Sequence, residues 1–466
     1  MLLIEHPNTY LPERAYALEV LLGQFLGLEW EAQASARSDT RITLRGSSDS
    51  CSLTIADGLF ATPEGRWLAS ESLPITPLAH WRIDGASIQP TLVAPSLPII
   101  YGEPLTSGCF YEESEHAISL GVDIFGSIFF QLARYEEIAC PARDAHERFP
   151  AEASLAHREG FLTRPLANEY IEVLWSAIKR LWPRMERRRR TFTEFLSHDV
   201  DAPRYTASSL GGGLKATLGD LLRRRDPTLA RARLHALHPD LRSPRAGDPY
   251  DTFDLIMDLS ERRGLRSAFY FMAGKTNPAL DGAYAIDDPF IGELMRRIDA
   301  RGHEIGLHPS YESFRAPDVV LREYRALQRV VERLGLTLPP TTGGRQHFLR
   351  WENPTTWRAW EQAGLSYDSS LGFPDDPGFR CGVCFEYTAF DAVARRPLGL
   401  LERPLVIMER ALFTGGADED RDALETIAAL RGRCRLFGGN FTLLWHNSQL
   451  ASQRQRSMYR SAVLGE

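Results

Sequence analysis

The sequence predicts a parallel α/β fold: a wound (β/α) barrel over residues 191–450, preceded by a smaller α/β or α+β module. Two observations carry that expectation. From Thr191 onward, short runs rich in β-formers alternate with amphipathic helical patterns, the signature of a parallel sheet or barrel. Charged and imidazole side chains also follow one strand candidate after another, at the end where a parallel barrel places its mouth. A chain of 466 residues exceeds what one core usually organises, which favours two or three domains.

In chain order, residues 1–150 begin with a helix candidate, in which Tyr16, Leu21, Leu22 and Phe25 fall at helical spacing. Ile42-Thr-Leu, Cys51-Ser-Leu-Thr-Ile and Trp67-Leu-Ala read as short strands broken by Gly, Ser and Asp turns. His116, Asp123 and Phe129-Phe130 form no metal or triad spacing, so this module carries little visible chemistry. Residues 151–190 read as a linker. Within it Tyr170, Val173, Leu174, Ala177, Ile178 and Leu181 mark an amphipathic helix, ended by Pro183, whose apolar stripe needs a surface to cover.

The strand candidates of the barrel are 192–196, 267–272, 304–307, 341–344, 365–367, 405–408 and 441–445. Helical stripes separate them, such as Ile291, Leu294, Met295 and Ile298, and later Val320, Tyr324, Leu327, Val331 and Leu334. Residues 205–248, with Gly211-Gly-Gly and an Arg-rich stretch, break the alternation and read as an insertion. Residues 451–466 are expected to be a C-terminal tail.

Composition narrows the function class. Hydrophobic residues at 43% and charged residues at 25% describe an ordinary globular chain. A net charge of −7 supplies no global basic footprint, so nucleic acid is not expected as a partner. The basic runs Arg187–Arg190 and Arg223–Arg225 suit phosphate or an acidic sugar polymer, but read more simply as solvated faces. No apolar run reaches the roughly 18 to 20 residues of a membrane span. Met1-Leu-Leu-Ile-Glu-His-Pro lacks a secretory pattern, so the expected location is the cytoplasm. Six cysteines are too sparse for a disulfide framework. Cys381-Gly-Val-Cys384 has half-ribbon spacing but no second pair, which favours a packing role. Nothing in the sequence sets the oligomeric state.

The chemistry gathers at the strand ends. Asp199 and Asp201 follow the first strand of the barrel, His308 another, Arg345 and His347 a third, Asp368 a fourth and His446 the last. In Ser197-His198-Asp199-Val200-Asp201, alternation puts both carboxylates on one face. One can then bind a metal while its neighbour accepts a proton from water, although an Asx turn before Pro203 is the plainer alternative. His308 offers a neutral metal ligand, whereas His303 stands at the far end of its strand and reads as structural. Gly343-Gly-Arg345-Gln-His347 adds a fixed cation and a second imidazole, and His446 titrates in the range needed to protonate a leaving amine.

Taken in order, Ser197-His-Asp-Val-Asp201, Gly302-His-Glu-Ile-Gly-Leu-His308, Gly344-Arg-Gln-His347 and Leu444-Trp-His446-Asn447 resemble the motifs of the polysaccharide deacetylase superfamily, over roughly 191–450. That resemblance implies a distorted (β/α) barrel, a divalent metal, usually zinc, and hydrolysis of an N-acetyl bond on a sugar or polysaccharide precursor. By position it implies Asp199 as general base, Asp201 and His308 as metal ligands, Arg345 as the residue orienting the base and His446 as general acid. The family's second metal histidine, one turn after the first, is replaced here, since His308-Pro-Ser-Tyr-Glu312 ends in glutamate. A catalytic zinc normally takes three protein ligands, so His347 is expected as the third, with Glu312 as its competitor. Two alternatives stay open: a hydrolase of a small non-sugar amide or ureide, and a non-catalytic carbohydrate-binding relative.

Overall fold

A computed structural model of the chain describes residues 1–46, 51–84, 86–205, 210–222, 227–236, 248–412 and 419–465. The first part forms a six-stranded mixed sheet in the order β2-β1-β3-β4-β8-β7. Its strands are β1 (Leu2–Pro7), β2 (Trp30–Ser35), β3 (Thr40–Leu44), β4 (Ser52–Ile55), β7 (Tyr111–Ser114) and β8 (Ala117–Leu120), while β5 (Ala79–Arg82) and β6 (Ser96–Ile99) pair separately. Leu53, Ile55, Ile118 and Leu120 alternate inward and are fully buried, as period-two patterning requires. Trp67-Leu-Ala is no strand. The preceding Glu64–Arg66 is a single tight turn, and Trp67 stacks on Tyr10 with ring centroids 4.1 Å apart.

The second part is a nine-stranded sheet, ordered β14-β15-β13-β12-β11-β10-β9-β17-β16. The strands are β9 (Thr193–Val200), β10 (Ser267–Phe271), β11 (Glu304–Leu307), β12 (Gly343–Gly344), β13 (Tyr367–Asp368), β14 (Tyr387–Asp391), β15 (Arg396–Glu402), β16 (Ile407–Met408) and β17 (Asn440–Leu444). Every pairing is parallel except β14 with β15. The parallel α/β layer expected from the alternation is therefore present. Its ladder ends at β14 and β16, which are not paired with each other among the described residues.

Each expected strand of this part exists, 304–307 with its expected ends and the others with shifted ends. The first runs to Val200 rather than stopping at 196, so Asp199 lies inside it. The hairpin of β14 and β15 was not anticipated. The sequence 205–248 contains two helices, Leu210–Leu222 and Pro227–Ala236, while Arg223–Arg225 lies outside the described residues. Residues 451–466, expected as a C-terminal tail, contain a helix, Gln453–Leu464. A Ser452–Gln455 capping box starts it, and Arg263 holds its end by donating to the Val463 carbonyl at 2.7 Å.

One hydrophobic core runs through both sheets, from Leu2 to Val463. The helix Leu166–Leu181 covers β4 and β8, and its first turn also meets the second part, where Ala167 donates to the Gly382 carbonyl at 2.8 Å. Edge strand β14 is covered by the helical stretch Leu11–Leu26: Tyr16 donates to the Thr388 carbonyl at 2.7 Å, and Gln24 to the Thr388 hydroxyl at 2.8 Å. A buried ion network adds to this junction, with Glu137 held between Arg134 (3.0 Å) and Arg380 (2.7 Å). All six cysteines are free thiols. Cys381 and Cys384 are buried, and burial pushes the Cys381 thiol up to about 12, in keeping with a packing role.

Glycines decide how closely the central strands approach. A Cβ on Gly344 would stand 1.8 Å from the Leu307 carbonyl oxygen, so β11 and β12 could not keep their spacing with any larger residue. Gly344→Ala is therefore expected to lower stability by about 1–3 kcal/mol in a denaturant titration, the usual range for overpacking. Gly399→Ala, whose Cβ would meet nothing nearer than 3.7 Å, should stay within about 0.5 kcal/mol of the parent.

Candidate metal centre

Parallel register lines up the strand ends. Phe271 stands opposite Val200 and Leu307, and Leu307 opposite Gly344, so the residues that follow them leave the sheet at one rim. His308 and Arg345 come directly after Leu307 and Gly344. On the other side Leu444 pairs with Ser197, which brings His446 level with Asp199. Alternation along β9 sends Ser197 and Asp199 to this rim and His198 away from it. His198 is buried against the Trp445 carbonyl, with its pKa brought down to about 3 by burial.

At the rim, Asp201 is surrounded by imidazoles. His308 Nε2 lies 3.2 Å and His347 Nε2 3.8 Å from its Oδ1, and His446 Nε2 lies 3.5 Å from its Oδ2. Each ring is oriented from behind. His308 Nδ1 lies 2.5 Å from the Arg345 carbonyl, a pure acceptor, so Nδ1 carries a proton. His347 Nδ1 donates to Asp281 at 3.1 Å, and His446 Nδ1 to Glu409 at 2.6 Å.

With Nδ1 protonated, a neutral imidazole presents its Nε2 lone pair to Asp201, where lone pair and carboxylate repel unless a cation, either a metal ion or a second ring proton, lies between them. His308 Nε2 and Asp201 Oδ1 are indeed buried without a hydrogen-bond partner. Ligand atoms of Asp201, His308 and His347 lie within 4.8 Å of one another, a set able to hold one metal ion. Two imidazoles and a carboxylate suit such an ion, so the residues present fit a divalent metal.

The electrostatics agree with a site of concentrated charge. Burial opposes ionisation of Asp201, but His347, His308 and His446 hold its carboxyl well below the ordinary range. Burial likewise opposes charging of His446, yet Glu409, and after it Asp201 and Asp199, raise its pKa to about 10. For His308 the opposing burial is outweighed by Asp199 and Asp201, which raise its pKa. Burial also works against the charge on Asp281, but His347 and the amides of Asn277, Tyr311 and Thr276 bring its pKa down to about 2.

Asp199 is held by a fully buried arginine. Arg345 Nη1 donates to Asp199 at 2.9 Å, Nη2 to the Ser197 hydroxyl at 2.9 Å and Nε to the Ser369 carbonyl at 2.8 Å. Asp199, Asp201 and the three histidines line a cleft of about 180 Å³, with Arg148, Asp375 and Arg410 also on its wall.

The structure thus brings together Asp199, Asp201, His308, Arg345, His347 and His446. Glu312 is not among them. Its half-exposed carboxylate pairs with Arg350 at 2.8 Å, away from the imidazoles, because the turn after Ser310 directs it outward. Asp368 does not reach the cleft either. It lies within β13, fully buried, where it accepts from the Ser370 amide (3.0 Å) and hydroxyl (2.5 Å), and burial pushes its pKa to about 7. His303, expected to be structural, accepts from the Ser267 amide at 3.0 Å.

Sequence reasoning missed Glu409, Asp281 and Arg148. Glu409 directly follows β16, so the strand-end rule that found His308 would also have found it. Asp281 sits in the long connection after β10 and had no such signal. Arg148 comes from the first part of the chain and donates to the Phe348 carbonyl at 3.0 Å. That contact braces a strained turn, since Phe348 and Leu349, just after His347, take left-handed backbone angles of 60° and 54°.

Comparisons with known proteins add the following. A family of unknown function, DUF7033, matches residues 2–183. No curated protein matches the chain. Among solved structures, a protein of Mycobacterium smegmatis assigned as a polysaccharide deacetylase is similar at 17% identity and a TM-score of 0.38, over 59% of this chain and 84% of its own. The chitin deacetylase of the fungal pathogen Colletotrichum lindemuthianum is similar at 10% identity and 0.29, over 59% and 81%. Agd3, a carbohydrate deacetylase, is similar at 8% identity and 0.35, over 99% and 83%. None of these reaches a TM-score of 0.5, so the functional reading rests on the chain's own geometry.

Metal titration by calorimetry checks the site. Asp281→Asn, which loosens His347, should weaken divalent-metal binding by about 10- to 100-fold. Glu312→Ala should leave it unchanged.

Proposed function

We propose that this chain is a metal-dependent hydrolase that removes an acetyl group from an N-acetylated sugar or polysaccharide precursor. In this reading residues 191–450 form a distorted (β/α) barrel of the polysaccharide deacetylase type, and residues 1–150 are an accessory domain joined to it by 151–190. The observation that carries it is the grouping of Asp201, His308 and His347 in one cleft with two proton-handling pairs, Asp199 with Arg345 and His446 with Glu409.

Asp201, His308 and His347 would hold the metal, for which zinc is the best match to two imidazoles and one carboxylate. When bound, it supplies Lewis acidity that polarises the amide carbonyl. Asp199 accepts the proton of the attacking water, and the bidentate use of Arg345 across Asp199 and Ser197 fixes the carboxylate for that transfer. His446 donates a proton to the departing nitrogen. The Glu409 carboxylate behind its Nδ1 favours the charged ring and fixes which nitrogen faces the cleft.

A second reading, a small non-sugar amide or ureide as substrate, is favoured by the cleft itself. Its 180 Å³ is below the roughly 300–1,000 Å³ of common ligand pockets. Zinc-loaded protein offered N-acetylglucosamine oligomers beside small cyclic amides separates the two: acetate release supports the first, and ring opening the second. Sugar binding with neither product would indicate a non-catalytic relative. On the accepted substrate, Asp199→Asn and His446→Ala should each lower kcat by about 10²–10⁴-fold. A loss under about tenfold for Asp199→Asn would remove it from the role of base.

A further inference from the structure

A second cleft, of about 450 Å³, shares no lining residue with the one around Asp201. Its wall carries the whole run Arg187–Arg190, together with Arg435. The sequence alone reads that run as a solvated face, which requires each guanidinium to meet water or a carboxylate. Arg187 does meet one, binding Glu172 through Nη1 and Nη2 at 2.6 and 3.2 Å. Glu172 is also the one acidic residue among those lining the cleft, so its charge is already matched.

Arg188, Arg189, Arg190 and Arg435 have no carboxylate partner among the described residues; Arg188, Arg189 and Arg435 are exposed to water, and Arg190 is partly buried. Arg188 Nη1 and Arg190 Nη2 instead converge on a single oxygen, the Gln24 carbonyl, each at 2.8 Å. That carbonyl lies in the last turn of the helical stretch Glu19–Leu26. The partial negative charge of a helix end, about half an electron, does not balance two full positive charges. Burial, and next the neighbouring Arg188, lower the pKa of Arg190, as expected for like charges held together. Stacking fixes two of the four in place: Arg190 lies 4.1 Å from the Phe385 ring centroid, and Arg435 4.7 Å from that of Phe192.

We propose that this cleft binds a diphosphate group, either free or carried by a nucleotide. Four guanidinium groups without acidic partners match the three to four negative charges of a diphosphate, whereas a single carboxylate would leave most of them opposed. The planar guanidinium fork also pairs two phosphate oxygens at once. Apolar walls beneath the arginines strengthen such contacts by lowering the local dielectric.

Calorimetry on the full chain at about 0.1 M salt tests this, with inorganic pyrophosphate, ADP and an oligogalacturonate as ligands. Pyrophosphate or ADP should bind with one-to-one stoichiometry. Arg189→Gln and Arg435→Gln should each weaken binding about tenfold while leaving the thermal midpoint of the free protein in place. His308→Ala should leave the affinity unchanged, separating this site from the metal cleft. Tighter binding of ADP assigns the nucleotide as source, and equal or tighter binding of pyrophosphate assigns the free ion. No binding up to about 1 mM overturns the proposal. So does affinity that neither arginine substitution lowers, affinity lost with His308→Ala, or preference for the oligogalacturonate.

Discussion

Three imidazoles aimed at one carboxylate set the terms for the rest of the cleft. Asp201 can be surrounded this way because β9, β10, β11 and β12 end level with one another, and because glycine at 344 lets β12 approach β11 closely enough for His308 and Arg345 to emerge side by side. The proton on each Nδ1 is fixed by a carbonyl or a carboxylate behind it, which leaves each Nε2 facing Asp201. Such an arrangement is repulsive with neutral rings and becomes attractive around a positive charge, whether a metal ion or a second proton on the ring. The same register places Asp199 beside Asp201, where Arg345 takes hold of it, so that two carboxylates two residues apart meet different environments.

The first part of the chain contributes to that site without supplying a candidate ligand. Arg148 reaches across to the turn that follows His347, and the Glu137–Arg380 pair fixes the stretch that leads into β14. The helical stretch Leu11–Leu26 covers the β14 edge, and its C-terminal carbonyls hold Arg188 and Arg190. Of these contacts, the one from Arg148 reaches the turn beside His347, and those of Tyr16 and Glu137 join the two parts of the chain at β14 and the stretch before it.

Much of this was legible in the sequence wherever a strong local pattern coincided with the final structure. The carboxyl ends of short β-rich runs located Asp199, Asp201, His308, Arg345 and His446, because parallel strands deliver their ends to one rim whatever the intervening helices do. Glu312 was a plausible competitor by spacing alone, and the turn geometry and Arg350 that direct it outward are tertiary facts. Asp368 stands at a strand end yet faces inward, since a two-residue strand gives too little alternation to show which way it points. The hairpin partner β15 was obscured by Leu400-Leu401-Glu402, where Leu401 is exposed and Glu402 buried, the reverse of the usual pattern. Asp281 and Arg148 lie in irregular segments, whose positions depend on contacts distant in sequence.

Anomalous diffraction at the zinc edge from crystals of zinc-loaded protein examines the central claim most directly. The account predicts one strong peak about 2.0–2.2 Å from His308 Nε2, His347 Nε2 and a carboxylate oxygen of Asp201. A peak bound elsewhere, for instance at Cys381 and Cys384, or a cleft that takes up no metal while its histidines remain in place, would contradict it.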